Sequence, residues 1–244
     1  MIRESFRKLF GNVLDWVYPP SCVSCGEPGA LICEQCLSKL PPVGSHFCSI
    51  CGKPLKKRQF CTLCARSEFR FLAARAPYLY DGPVSAMITK LKYGGTLSLV
   101  PILTSLLTEY WKGLVWEIDL IVPVPLSAKR FAERGFNQSE LIARQFSKCV
   151  RIPCEPGALM KQRDTKQQVG LTADERKENL SGAFAAEKVF IKDKRILLLD
   201  DVMTTGSTFA ECSAVLLDTG AKSVKCLSVA TTPENHGTLK MPNA

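Results

Sequence analysis

The apolar run Ile196-Leu197-Leu198-Leu199 leads into two adjacent acids, Asp200 and Asp201, and then into Thr204-Thr205-Gly206-Ser207-Thr208. No other stretch constrains the chain as much. The run reads as a buried strand and Ser207 to Leu217 as a helix, so the hydroxyl-rich turn joins a strand end to a helix start. Amides at such a turn face an anion, and the two carboxylates can accept hydrogen bonds from sugar hydroxyls. Gly206 permits the tight backbone and its close approach to a phosphate. The order of strand, acid pair, turn and helix suits a sugar phosphate.

Apolar runs alternate with amphipathic stretches from Ala73 onward. Candidate strands are Ala74–Tyr80, Asp119–Val124, Arg195–Leu199 and Val224–Ala230; candidate helices are Val84–Lys92, Leu97–Lys112, Gln138–Val150 and Ser207–Asp218. This alternation predicts an α/β fold, a mostly parallel sheet flanked by helices with ligands at the carboxyl ends of its strands. A second loop fits the same crevice. Ile121 to Leu126 is a strand running into a proline-constrained turn, followed by Lys129, Arg130, Arg134 and Asn137, which can cap the next helix. The polar, charged stretch from Lys161 to Leu180 has the character of a lid.

The chain has 244 residues and twelve cysteines, eight of them in four Cys-x-x-Cys pairs: Cys22/Cys25, Cys33/Cys36, Cys48/Cys51 and Cys61/Cys64. Each pair aims two thiolates at one metal, and two pairs complete a tetrahedral zinc site. Sequential and crossed pairings are both open; short spacers favour the sequential one, because short loops close at lower entropic cost. The segment has few large apolar residues, and about two structural zinc ions, each worth on the order of 10 kcal/mol, would supply its folding energy. Cys149, Cys154, Cys212 and Cys226 read as buried small hydrophobes.

The N-terminus lacks the pattern of a secretory signal; Ile2, Phe6, Leu9, Phe10, Val13, Trp16 and Val17 recur at helical spacing. No run reaches the roughly 18 to 20 apolar residues of a membrane span. A cytoplasmic protein is expected, with a peripheral position at the inner membrane face left open by the amphipathic start. A net charge of +9 favours polyanions, nucleic acid or phosphorylated substrates. The organisation expected is an amphipathic helix at 1–17, a double zinc ribbon at 18–68, a main domain at 73–234 and a tail at 235–244, with residues 65 to 72 as linker.

LLLDDVMTTGST, Leu197 to Thr208, resembles the phosphoribosyl pyrophosphate (PRPP) fingerprint of type I phosphoribosyltransferases. The whole pattern is similar to the ComF/GntX family, a zinc ribbon joined to a type I phosphoribosyltransferase-like domain. The matching residues are the cysteine pairs, Leu91–Gly95 (LKYGG), Pro123–Leu126 (PVPL), Arg134–Gln138 (RGFNQ), Arg163–Phe184 and the acid-pair stretch. The resemblance implies that Asp200 and Asp201 contact ribose hydroxyls, directly or through Mg²⁺. It implies that Thr204, Thr205, Gly206, Ser207 and Thr208 hold the 5′-phosphate, that Val124, Pro125 and Arg134 lie near the pyrophosphate, and that Arg163 and Lys166 belong to the lid. It further implies a role in competence, moving single-stranded DNA inward with the uptake machinery. An alternative is a non-catalytic nucleic-acid adaptor, with Lys53, Lys56, Lys57 and Arg58 touching phosphates. Purine-salvage relatives carry an acid three positions after the second acid of the pair; Thr204 stands there, which speaks against purine salvage.

Overall fold

The computed structural model describes residues 20–55, 59–66, 69–162 and 182–233. The expected N-terminal helix and tail, and Lys56, Lys57, Arg58, Arg163 and Lys166, lie outside them.

The main sheet is parallel throughout. Its strands are β1 (Ala73–Arg75), β2 (Tyr78–Leu79), β3 (Leu120–Pro123), β6 (Arg195–Met203) and β7 (Ser223–Thr231), in the order β1-β7-β6-β3, with β2 also on β7. A separate antiparallel hairpin joins β4 (Leu159–Lys161) to β5 (Phe184–Ala186). The single strand expected over Ala74–Tyr80 is two pieces, because Pro77 has no N–H for the ladder. The strand expected to stop at Leu199 runs on to Met203, held by β7 through the pair Met203–Thr231.

Two layers cover the sheet. On one face lie α3 (Gly82–Gly94), α4 (Val100–Trp111) and α6 (Gln138–Val150), with Met87, Leu103 and Phe146 buried against Leu197, Leu199 and Val229. On the other lies α8 (Ser207–Asp218), with Phe209 and Leu216 against Ile196 and Leu198. The alternation of side chains along β6 sends odd and even leucines to opposite cores. The helix expected over Leu97–Lys112 opens with a 3₁₀ turn, Leu97–Leu99, and Pro101 sits in the first turn of α4, where its missing N–H is tolerated. Two short helices, α5 (Ala128–Arg134) and α7 (Lys188–Ile191), complete this domain.

The cysteine-rich part carries α1 (Glu34–Leu37) and α2 (Thr62–Arg66). Its two halves repeat one hydrogen-bonding pattern: Gly26 N–H donates to Cys22 O and Gly52 N–H to Cys48 O, at 2.8 and 2.9 Å. Both halves dock on the main domain. Cys22, Ile32 and Cys36 join the core around α3 and α4, and Ile50 packs on the opposite core. Between them, residues 41–43 pair with the β2 edge, Leu79 N–H donating to Pro41 O and Val43 N–H to Pro77 O. The expected linker is packed in its second half: Phe71 is buried and stacks on Phe69, their rings 5.0 Å apart. Of the remaining cysteines, Cys212 and Cys226 are buried as expected. Cys149 is exposed and Cys154 half-buried, Cys149 lying in the last turn of α6, where Lys148 also faces solvent.

Candidate functional site

The connections around β3 and β6 diverge. After β3 the chain crosses the α6 face and returns as a parallel bridge, Ile121 to Cys154, on the outer side of β3. After β6 it crosses the α8 face and returns as β7 on the other side. A crevice therefore opens outside the carboxyl ends of β3 and β6, the position where open α/β sheets bind ligands. β3 ends opposite Leu199, so Asp200 and Asp201 project beyond it with no strand on that side among the described residues.

α6 fills part of the gap. Ser139 Oγ donates to Asp200 Oδ1 at 2.7 Å, and the Asp201 N–H donates to the same oxygen at 2.9 Å. Burial, then the neighbouring Asp201 carboxylate, push the Asp200 carboxyl up to about 7, against the Ser139 hydrogen bond that lowers it. Asp201 is only 3% exposed. Its Oδ1 forms an ion pair with Lys92 Nζ at 2.8 Å, and its Oδ2 is buried with no hydrogen-bond partner among the described residues. Burial works against the Lys92 ammonium, but the Asp201 carboxylate outweighs it and holds the lysine above its ordinary pKa. Asp200 stays half-open, whereas one oxygen of Asp201 is committed to Lys92.

The turn after β6 has the expected form. Gly206 stands at the N-cap of α8 at φ +82°, a conformation that favours glycine, and as a glycine it brings no side-chain cap of its own. Thr205 Oγ1 and Ser207 Oγ are 2.8 Å apart and Thr205 Oγ1 accepts the Ser207 N–H, so the hydroxyls gather at one point. Thr204 is exposed, and Thr205, Ser207 and Thr208 are half-buried.

The second loop is held from within. Val124 N–H donates to Leu199 O at 2.8 Å and Val124 O accepts Asn137 Nδ2 at 3.0 Å, so both backbone groups of Val124 are engaged inside the protein. Asn137 also caps α6 through Ser139 N–H. Pro125 lines a groove of about 410 Å³ with Leu126, Phe131, Leu159 and Met160. Arg134 donates to Gln138 Oε1 at 2.9 Å and lies 5.1 Å from the centre of the exposed Tyr93 ring. LKYGG and RGFNQ therefore meet at the crevice mouth. Lys92, Tyr93, Gln138 and Ser139 had no role from sequence alone; the only signal was that the first three lie in those two motifs and Ser139 directly follows the second.

The cysteines converge as two groups, Cys22, Cys25, Cys33, Cys36 and Cys48, Cys51, Cys61, Cys64, with all four ligand atoms of each within 4.8 Å of one another. This is the sequential grouping. In both, a backbone N–H donates to the first sulfur, Cys33 to Cys22 and Cys61 to Cys48 at 3.5 Å, as suits a thiolate. The donor set fits structural zinc. The acid pair does not fit a resident Mg²⁺, because a lysine already holds Asp201. Lys53 is buried, so it offers nothing to a phosphate backbone. Among the described residues no helix is long and apolar enough to cross a membrane.

The double zinc ribbon domain family matches residues 13–65. The DNA utilization protein YhgH of Escherichia coli (strain K12) is 33% identical over 218 residues, covering 85% of this chain and 95% of that protein. Competence protein F of Haemophilus influenzae is 29% identical over 220 residues, 81% of this chain and 96% of that one. Among solved structures, the glutamine PRPP amidotransferase from B. subtilis complexed with ADP and GMP aligns with 57% of this chain at 17% identity and a TM-score of 0.41; the chain spans 30% of that protein's length.

Proposed function

The chain belongs to the ComF family, and from that premise we propose that it binds PRPP or a closely related ribose phosphate at the carboxyl ends of β3 and β6, in the service of competence-linked handling of single-stranded DNA. One observation carries the reading: an acid pair and a glycine-bent, hydroxyl-lined helix start stand together at the crevice where the sheet's connections diverge. Asp200 would accept a ribose hydroxyl. The turn from Thr204 to Thr208 would take the 5′-phosphate with backbone N–H groups and hydroxyls. Arg134, at the crevice mouth, would lie toward the pyrophosphate. The cysteine groups would hold two zinc ions and tie the ribbons to the sheet.

Calorimetry with PRPP and Mg²⁺ tests this directly. The native protein should bind, and an Asp200→Ala/Asp201→Ala protein should lose at least tenfold in affinity, about 1.4 kcal/mol. Equal binding by the two would end the proposal. The second reading, an adaptor that binds nucleic acid without turnover, draws on the net charge of +9, whereas Thr204 in place of an acid speaks only against purine salvage. Its mark is single-stranded DNA affinity that falls steeply with salt.

A further inference from the structure

The acid pair is built with its own cation. Lys92 reaches it from the last turn of α3, which Gly95 ends in the left-handed conformation at φ +60°. The lysine side chain is 18% exposed and that of Asp201 is 4% exposed. The contact is therefore shielded from water, and its attraction is damped less than that of a surface pair. Asp201 keeps one buried oxygen, Oδ2, without a partner among the described residues. A buried acceptor left open is costly unless something arrives to donate to it. That oxygen is buried, so a hydroxyl could do so only once the groups over it move aside. A second cation could not, since it would meet the ammonium on the same carboxylate.

We infer that Lys92 is a positioning residue that occupies the cation place at Asp201, so that the acid pair presents acceptors for sugar hydroxyls and holds no divalent metal of its own. On the ribose-phosphate reading, which this deepens, Mg²⁺ then enters already bound to the diphosphate. Ser139 plays the matching part at Asp200, donating a hydroxyl where a metal would otherwise sit. Removing the lysine charge leaves the acid pair without a compensating cation, and carboxylate number and net charge set the affinity of an oxygen site for a hard cation.

The test is Mn²⁺ binding by the zinc-loaded, full-length protein, read by electron paramagnetic resonance with and without PRPP. Without PRPP, native protein and Lys92→Arg should leave Mn²⁺ free in solution. Lys92→Gln should gain at least about tenfold in Mn²⁺ affinity, and adding Asp201→Asn should abolish that gain. Zinc held by thiolates does not exchange with so hard an ion. With PRPP present, the native protein should retain Mn²⁺ as a ternary complex. Mn²⁺ binding by the free native protein that Asp201→Asn removes would overturn the inference, as would a folded Lys92→Gln protein with no gain. Should Lys92→Gln fail to fold, the native and Lys92→Arg proteins decide: binding that Asp201→Asn removes overturns the assignment, and its absence in both supports it. Failure of the PRPP arm alone would sink the ribose-phosphate reading and leave the Lys92 assignment standing.

Discussion

Asp200 holds its proton more tightly in the folded chain than an ordinary aspartate does, with a value of about 7 against 3.8. The sign of the consequence is fixed by linkage. A raised folded value means that stability is greatest below the unfolded value and declines as pH rises, levelling off above about 7. Asp200→Asn removes that slope. Its stability relative to the native protein should therefore improve by about 1 kcal/mol between pH 6 and pH 8, roughly one pKa unit's worth, measured by urea unfolding at the two pH values. The acid pair itself was plain in the sequence, because an apolar run ending in Asp-Asp before Thr-Thr-Gly has few other uses. The partners were not. Lys92 and Ser139 reach the acids from α3 and α6, and no local periodicity encodes which helix end meets which strand end.

The helices Gln138–Val150 and Ser207–Asp218 matched expectation to the residue, since Asn137 caps one and Gly206 starts the other. Strand limits were less legible, because a strand ends where its neighbour stops pairing: β7 extends β6 to Met203 while β3 releases it at Leu199. The docking of the ribbons was hidden for the same reason. It rests on close approach rather than on pattern, and Gly52 shows how close. A Cβ there would lie 2.4 Å from Ala74 O, and its φ is +70°; the equivalent Gly26, at φ +83°, has nothing within 4 Å. Gly52→Ala should cost about 2 kcal/mol or more, since it must both strain the knuckle and push it off β1. Gly26→Ala should cost only the backbone term, about 1 kcal/mol. Thermal melts of the two variants, compared with the native protein, check the difference.

At the scale of the whole molecule the two cysteine groups are unequal. Cys48, Cys51, Cys61 and Cys64 are all buried, whereas in the first group Cys25 is exposed and Cys33 half-buried. A chelator should therefore remove zinc in two kinetic phases of one equivalent each, and Cys25→Ser should abolish the fast phase while leaving the slow one; a single phase of two equivalents would contradict this. Loss of the second metal reaches further. Arg75, on β1, donates to Ser49 O and Ile50 O, and Ala74 N–H donates to Ile50 O, so the second knuckle is fastened to the rim of the sheet. Together with residues 41–43 it covers backbone groups that would otherwise stand unpaired. A cell short of zinc, or one whose thiols are oxidised, would thus strip the seal from a ready template for strand addition, and this chain would clump with its own copies before its helices had unravelled.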